Sequence, residues 1–180
     1  MALSKYQDDL DFGTNFRKKE ADKEGGNANI FETEIHSGVY RGTIMIELDR
    51  VGKGEDDGFK MEISNAEKKR RILLFIDSLR MLWSAGRQTR FLSDISPKFV
   101  AAALMNSKTP VFLESVKVDA KTQTKVDMPL LNSVVNDYKK YIQAHTFAVQ
   151  DSIFEKQEGM VSLADGFAEI EKWVEGYYKD

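Results

Sequence analysis

The chain has 180 residues, 42% of them apolar and 31% charged, which places it among folded proteins with one ordinary core and not among disordered chains. It has no cysteine, excluding disulfides and thiolate metal sites, and its net charge of -3 argues against a uniformly basic polyanion binder. The charge is nevertheless uneven: residues 1–59 carry 8 basic and 13 acidic side chains, whereas residues 60–98 carry 9 and 4.

The N-terminal run MALSKYQDDLDF has no apolar stretch of signal-peptide length, and no window reaches the length of a membrane span. The expectation is a soluble cytoplasmic protein. Residues 1–30 are polar, charge-dense and broken by glycine, which predicts a loop or inserted segment with a helical turn near Phe16–Lys23. A single α+β domain over 31–180 is expected to follow. From Val39 the chain alternates, with Thr43, Met45 and Glu47 opposite Ile44, Ile46 and Leu48, and predicts a strand. KGEDDG (53–58) reads as a turn, and FKMEIS continues the sheet.

Ser64 and Glu67 have the spacing of a capping box, and Ile72, Ile76, Leu79, Leu82 and Trp83 then recur at helical intervals up to Gly86. Ser96-Pro97 predicts a helix through KFVAAALM to about Asn106. Pro110 opens VFLESVKV, read as a strand. Asp127 is expected to cap a helix running to about His145, with Leu130, Val134, Val135, Tyr138 and Ile142 inward. Ser162 or Asp165 begins a last amphipathic helix containing Ile170, Trp173 and Val174. The strand count is low for a self-sufficient sheet.

Three stretches carry possible chemistry. Asp8, Asp9 and Asp11 resemble a hard-cation cluster but lack the spacing and closing glutamate of a calcium loop. His36 and His145 have no ligand partners at metal-site spacing, so no metal and no cofactor is expected. Glu32 and Glu34 have no nucleophile beside them. Lys68, Lys69, Arg70 and Arg71 occupy the start of a helix, where the dipole disfavours cations, which points to an anionic ligand or to acidic residues of a neighbouring chain.

The third stretch, SAGRQTRF (84–91), is the best marked. Gly86 frees backbone N–H groups behind a helix, Arg87 and Arg90 supply charged donors suited to phosphate, and Gln88 and Thr89 add neutral ones. That mixture holds a nucleic-acid backbone without reading bases; it also describes a helix end with two solvated arginines. Arg41, beside Tyr40 and Gly42, offers another phosphate contact or an ordinary exposed strand arginine.

The run HSGVYRGTIMIELDRVG, the basic helix after it and SAGRQTRFLSDISPKFV resemble the backbone subunit of type I CRISPR effector complexes, in particular the DevR family of the RAMP superfamily. DDLDFGTN and NIFETEIHSGVYRG are similar to the middle of such proteins, and the likeness covers roughly residues 3–120. It implies a partial modified RNA-recognition-motif (ferredoxin-like) palm with additional C-terminal helices, corresponding to the C-terminal portion of a longer fold and lacking its N-terminal part. It implies no catalysis. The implied partners are CRISPR RNA, target nucleic acid through the guide, other effector subunits and copies of the chain itself.

The loop behind the palm helix contacts RNA in that family, and the likeness carries this role to Ser84, Gly86, Arg87, Gln88 and Arg90, with Arg41 from the strand motif. Ala85-Gly86 stands where the family typically has two glycines. Two alternatives stay open beside it. One is a subunit acting only through protein contacts, and the other is a metal-dependent ribonuclease using Asp8, Asp9 or Asp11.

Overall fold

The computed structural model describes residues 8–15, 29–36, 38–56, 59–83 and 94–179, with backbone alone at 8–15, 29–36, 56 and 59. The chain divides into two compact units, one of residues 1–40 with 87–92 and the other of 41–86 with 93–180.

In the first unit, β1 (Asp8–Asn15) pairs antiparallel with β2 (Asn29–His36), from Asp8 opposite His36 to Asn15 opposite Asn29. Loop was expected over residues 1–30. Three aspartates and a glycine give DDLDFGTN a low strand propensity, but the apolar and β-branched partner NIFETEIH supplies the pairing that propensity does not. The helical turn expected at 16–23 lies outside the described residues.

Residues 39–47, which run from the last two residues of the first unit into the second, are not in a ladder with any described residue. Their alternation has another origin: Ile46 and Leu48 pack into a core, while Ile44 and Met45 stay exposed. A short hairpin follows, β3 (Lys53–Asp56) with β4 (Phe59–Glu62), so KGEDDG is strand for its first four residues. Gly52 enters it at φ 69°, and a Cβ there would overlap Ile63.

α1 (Asn65–Arg80) begins as its capping signal requires, with Ser64 Oγ accepting from Glu67 N at 3.3 Å. It buries Ile72 and Ile76 but ends at Arg80, ahead of Gly86. Leu82 and Trp83, expected on its buried face, are exposed.

FVAAALM is a strand, β5 (Phe99–Met105), where a helix was expected. Both faces of this strand meet apolar neighbours, so its period of two is hidden in an unbroken run. Phe99 and Ala101 join one core and Val100 the other. The Ser-Pro signal serves a turn: Asp94 accepts from Ser96 N at 2.9 Å and Ser96 Oγ at 2.7 Å. With Lys98 bonded as well, the Asp94 carboxyl is held down to about 2, first by that lysine and then by Ser96.

VFLESVKV is a helical turn at 111–115 leading to a single bridge, Val118 with Val126. It was expected to be a strand, but its aromatic is used sideways, Phe112 meeting Phe147 edge-on at 5.6 Å. α2 (Met128–Asp137) starts at Asp127, whose carboxylate accepts from Leu130 N at 3.0 Å. The helix expected to reach His145 stops eight residues earlier, and IQAHTFAV becomes β6 (Ile142–Val149). The period-two pattern was present in it, since Gln143 and His145 are exposed while Ile142 and Ala144 are half-buried.

β6 is central, antiparallel to β5 and parallel to β7 (Val161–Ser162). Ser162 also caps α3 (Leu163–Tyr177), accepting from Asp165 N at 3.1 Å. Alternate residues of the sheet feed two cores. Phe147 and Val149 join Leu131 and Met128 of α2, Val126, Phe154 and Met160. On the other side Ile72 and Ile76 of α1 meet Phe167 and Val174 of α3. Gly166 lets α3 approach β6, because a Cβ there would overlap that of Ala148. The mixture of helices and sheets is the α+β class read from the sequence.

Candidate nucleic-acid interface

The cations at the start of α1 have their anions close by. Lys68 is only 5% exposed, and its ammonium bonds the Glu62 carboxylate of β4. Its stem fills space near Gly52 while its tip meets the counter-ion, the usual compromise for a buried lysine. Arg70 binds Glu67 through Nε at 2.7 Å and a second nitrogen at 2.8 Å, and Arg71 Nε joins at 2.8 Å. Those two guanidiniums, Arg70 first, hold the Glu67 carboxyl down to about 2. The half of a capping box in which Glu67 reaches back is thereby given up to the arginines. The expected purpose of the run was an external anion; for these three side chains the acid comes from the same chain.

Arg41 is similarly engaged. Its guanidinium donates to the Val116 carbonyl at 3.2 Å and to Glu114 at 3.3 Å, bracing 41 against the turn at 111–116. A guanidinium has five N–H donors, and this side chain remains 38% exposed, so part of the fork faces solvent. Further along, Lys108 binds Glu47 at 2.6 Å and, ahead of Arg50, lowers that carboxyl below its ordinary range.

Ser84, Gly86, Arg87, Gln88 and Arg90 lie outside the described residues. α1 leads directly to them. On the way it exposes Met81 and Trp83, and Leu74 and Phe75 one to two turns earlier.

The aspartates of the ribonuclease reading, Asp8, Asp9 and Asp11, are on β1, and Glu32 and Glu34, considered separately as an acid and base, are on β2. In register Asp8 stands opposite His36, Asp9 opposite Ile35, Asp11 opposite Thr33, Glu34 opposite Leu10 and Glu32 opposite Phe12, so no two of these acidic residues are register partners. Among the described residues, no three His, Asp or Glu side chains come together as a metal site. His145 of β6 instead lies 5.4 Å from the Phe147 ring.

One surface was missed from sequence. Tyr138, Lys139, Lys140 and Tyr141, assigned to a longer helix, form the exposed turn between α2 and β6. The aromatic–basic–basic–aromatic order of DYKKYIQ was the available signal.

The chain matches the family described as CRISPR-associated negative auto-regulator DevR/Csa2 over residues 5–126. That stretch runs from ahead of β1 to the Val126 bridge and includes 84–91. It is more than half of the sequence: this is a CRISPR-associated protein, and it belongs to the DevR/Csa2 family. The family is structural and regulatory and is not known for catalysis. No curated protein and no solved structure among those compared matches the chain. Among the described residues, no helix is long and apolar enough to cross a membrane.

Proposed function

We propose that this chain holds the backbone of CRISPR RNA as a non-catalytic, cytoplasmic subunit of a type I effector complex, with an RNA-recognition-motif-like palm and 84–91 as the clamp. The family match across that loop carries the reading. Arg87 and Arg90 supply charged donors to phosphate, Gly86 a close backbone N–H, and Ser84 and Gln88 neutral donors. Arg41 adds a contact through the exposed part of its fork. Contacts of this kind leave the bases of the guide free for target pairing. The exposed apolar side chains Ile44, Met45, Leu74, Phe75 and Trp83 support protein contacts alongside, with other subunits or copies of the chain.

Fluorescence-anisotropy titration of single-stranded RNA at low and moderate salt tests the clamp. Binding should tolerate base sequence and weaken with salt. Arg87→Ala with Arg90→Ala should flatten the log–log salt slope by roughly 1.4, about 0.7 per lost phosphate contact. Binding indifferent to the double change, or none by the parent protein, returns the loop to a turn and leaves the protein-contact role.

A further inference from the structure

The turn after α2 has a composition that structure alone does not require. Lysines behind a helix C-terminus offset its dipole, so Lys139 and Lys140 fit where they are. Tyrosines ordinarily bury their rings, yet Tyr138 is 38% and Tyr141 45% exposed.

The backbone beneath them is fixed. Tyr138 N donates to Val134 at 3.0 Å, and the Tyr138 carbonyl accepts from Tyr141 N at 2.8 Å and Ile142 N at 3.1 Å. From across the β5–β6 pair, Asn106 N donates to the Tyr141 carbonyl at 2.9 Å. Gln143 Nε2 donates to Asn106 Oδ1 at 2.5 Å, and the Asn106 amide N–H groups and the Gln143 carbonyl oxygen have no partner among the described residues, on two exposed side chains.

Lys140 Nζ sits 5.9 Å from the Tyr141 ring centroid, a cation held over an aromatic face. Neither Lys139 nor Lys140 is paired with a carboxylate among the described residues, unlike Lys68, Arg70 and Arg71. The turn therefore combines cations that no described carboxylate neutralises, partly exposed aromatic rings and a backbone that is already ordered.

We propose that the turn Tyr138–Tyr141 is a second contact for single-stranded nucleic acid, separate from 84–91 and outside the family-matched residues. The tyrosines stack unpaired bases, Lys139 and Lys140 meet the intervening phosphates, and the Asn106–Gln143 pair offers one donor group and one acceptor to base edges. Aromatic faces beside cations suit a strand, which alternates flat bases with phosphates. An acidic peptide would use the lysines and leave the rings idle. The proposal takes the ligand class from the function above but depends on none of the loop residues.

The test uses the full chain in three double variants: Tyr138→Ala with Tyr141→Ala, Lys139→Ala with Lys140→Ala, and Arg87→Ala with Arg90→Ala. Each is titrated by anisotropy with single-stranded RNA, with the same RNA backbone lacking bases, and with polyglutamate, after circular dichroism confirms folding. The tyrosine pair should weaken RNA binding roughly tenfold per ring and leave the baseless strand unaffected. The lysine pair, which needs no core residue, should flatten the salt slope by roughly 1.4 for both strands.

If only the arginine pair weakens RNA, the turn is overturned and the loop clamp stands. If only the tyrosine and lysine pairs do, the turn stands and the clamp fails. Polyglutamate bound as tightly as RNA, with the tyrosine pair silent, overturns the turn in favour of an acidic protein partner. No RNA binding by the parent chain overturns both.

Discussion

Two basic stretches of the second unit differ in the opposite sense from their sequences. KKRR at the start of α1 is the denser and resembles a polyanion site, yet Lys68, Arg70 and Arg71 each meet a carboxylate of the same chain. YKKY after α2 has half as many cations, within what reads as a helix, and both remain open. Counting charge along a sequence therefore ranks the two wrongly. What decides is whether a carboxylate comes within reach when the chain folds: Glu62, at the end of β4, lies beside the start of α1 and reaches Lys68, while Glu67 reaches Arg70 and Arg71 along the helix.

The open turn depends on its support, and there the largest effect is expected. Leu131 of α2 is fully buried among Val126, Phe147 and Met160, so Leu131→Ala should cost about 2–5 kcal/mol in urea unfolding. The fraction that stays folded keeps α2 and the turn, so RNA binding should fall in step with the folded fraction. Unchanged unfolding would mean that α2 does not seat the turn as described.

Legibility from sequence followed the range of the interactions. Ser64 and Asp127 were identified as helix starts, and Ser162 as one of two candidates with Asp165, because a cap is settled within three residues of chain. Helix ends and strands were harder. FVAAALM is a strand only because Phe147 and Ala148, over forty residues on, pair with Ala101 and Val100. GVYRGTIMIEL has the better strand pattern and no described ladder partner, since alternation reports a buried face and says nothing of who supplies the hydrogen bonds. The loop at 84–91 was marked by residue type and then by family; its geometry lies outside the described residues. The turn at 138–141 was marked by residue order alone, and its exposure could not be read because it depends on where α2 ends.

A smaller effect sharpens the contrast between the two stretches. Lys68→Ala removes a buried stem and its tip's bond to Glu62, and should lower the melting temperature by roughly 2–6 °C. Lys139→Ala with Lys140→Ala, on exposed positions, should leave it within about 1 °C while altering the salt dependence of RNA binding. Equal melting shifts would show that burial does not distinguish these lysines.

The smallest effect concerns Glu67, and it appears only as a function of pH. The carboxyl titrates near 2 in the folded chain and at about 4.3 when unfolded, so on acidification the unfolded state takes up the proton first. The stability it contributes is complete above about pH 5 and disappears as the pH falls through 2. Glu67→Gln never has that contribution and keeps the amide near Arg70 and Arg71. The melting temperatures of parent and variant should thus be furthest apart at pH 6 to 7 and converge towards pH 2. The group is exposed, so salt should shrink the gap. Parallel curves across that range would mean that the arginines do not hold Glu67 in solution, and that the KKRR stretch is as open to an external anion as the turn after α2.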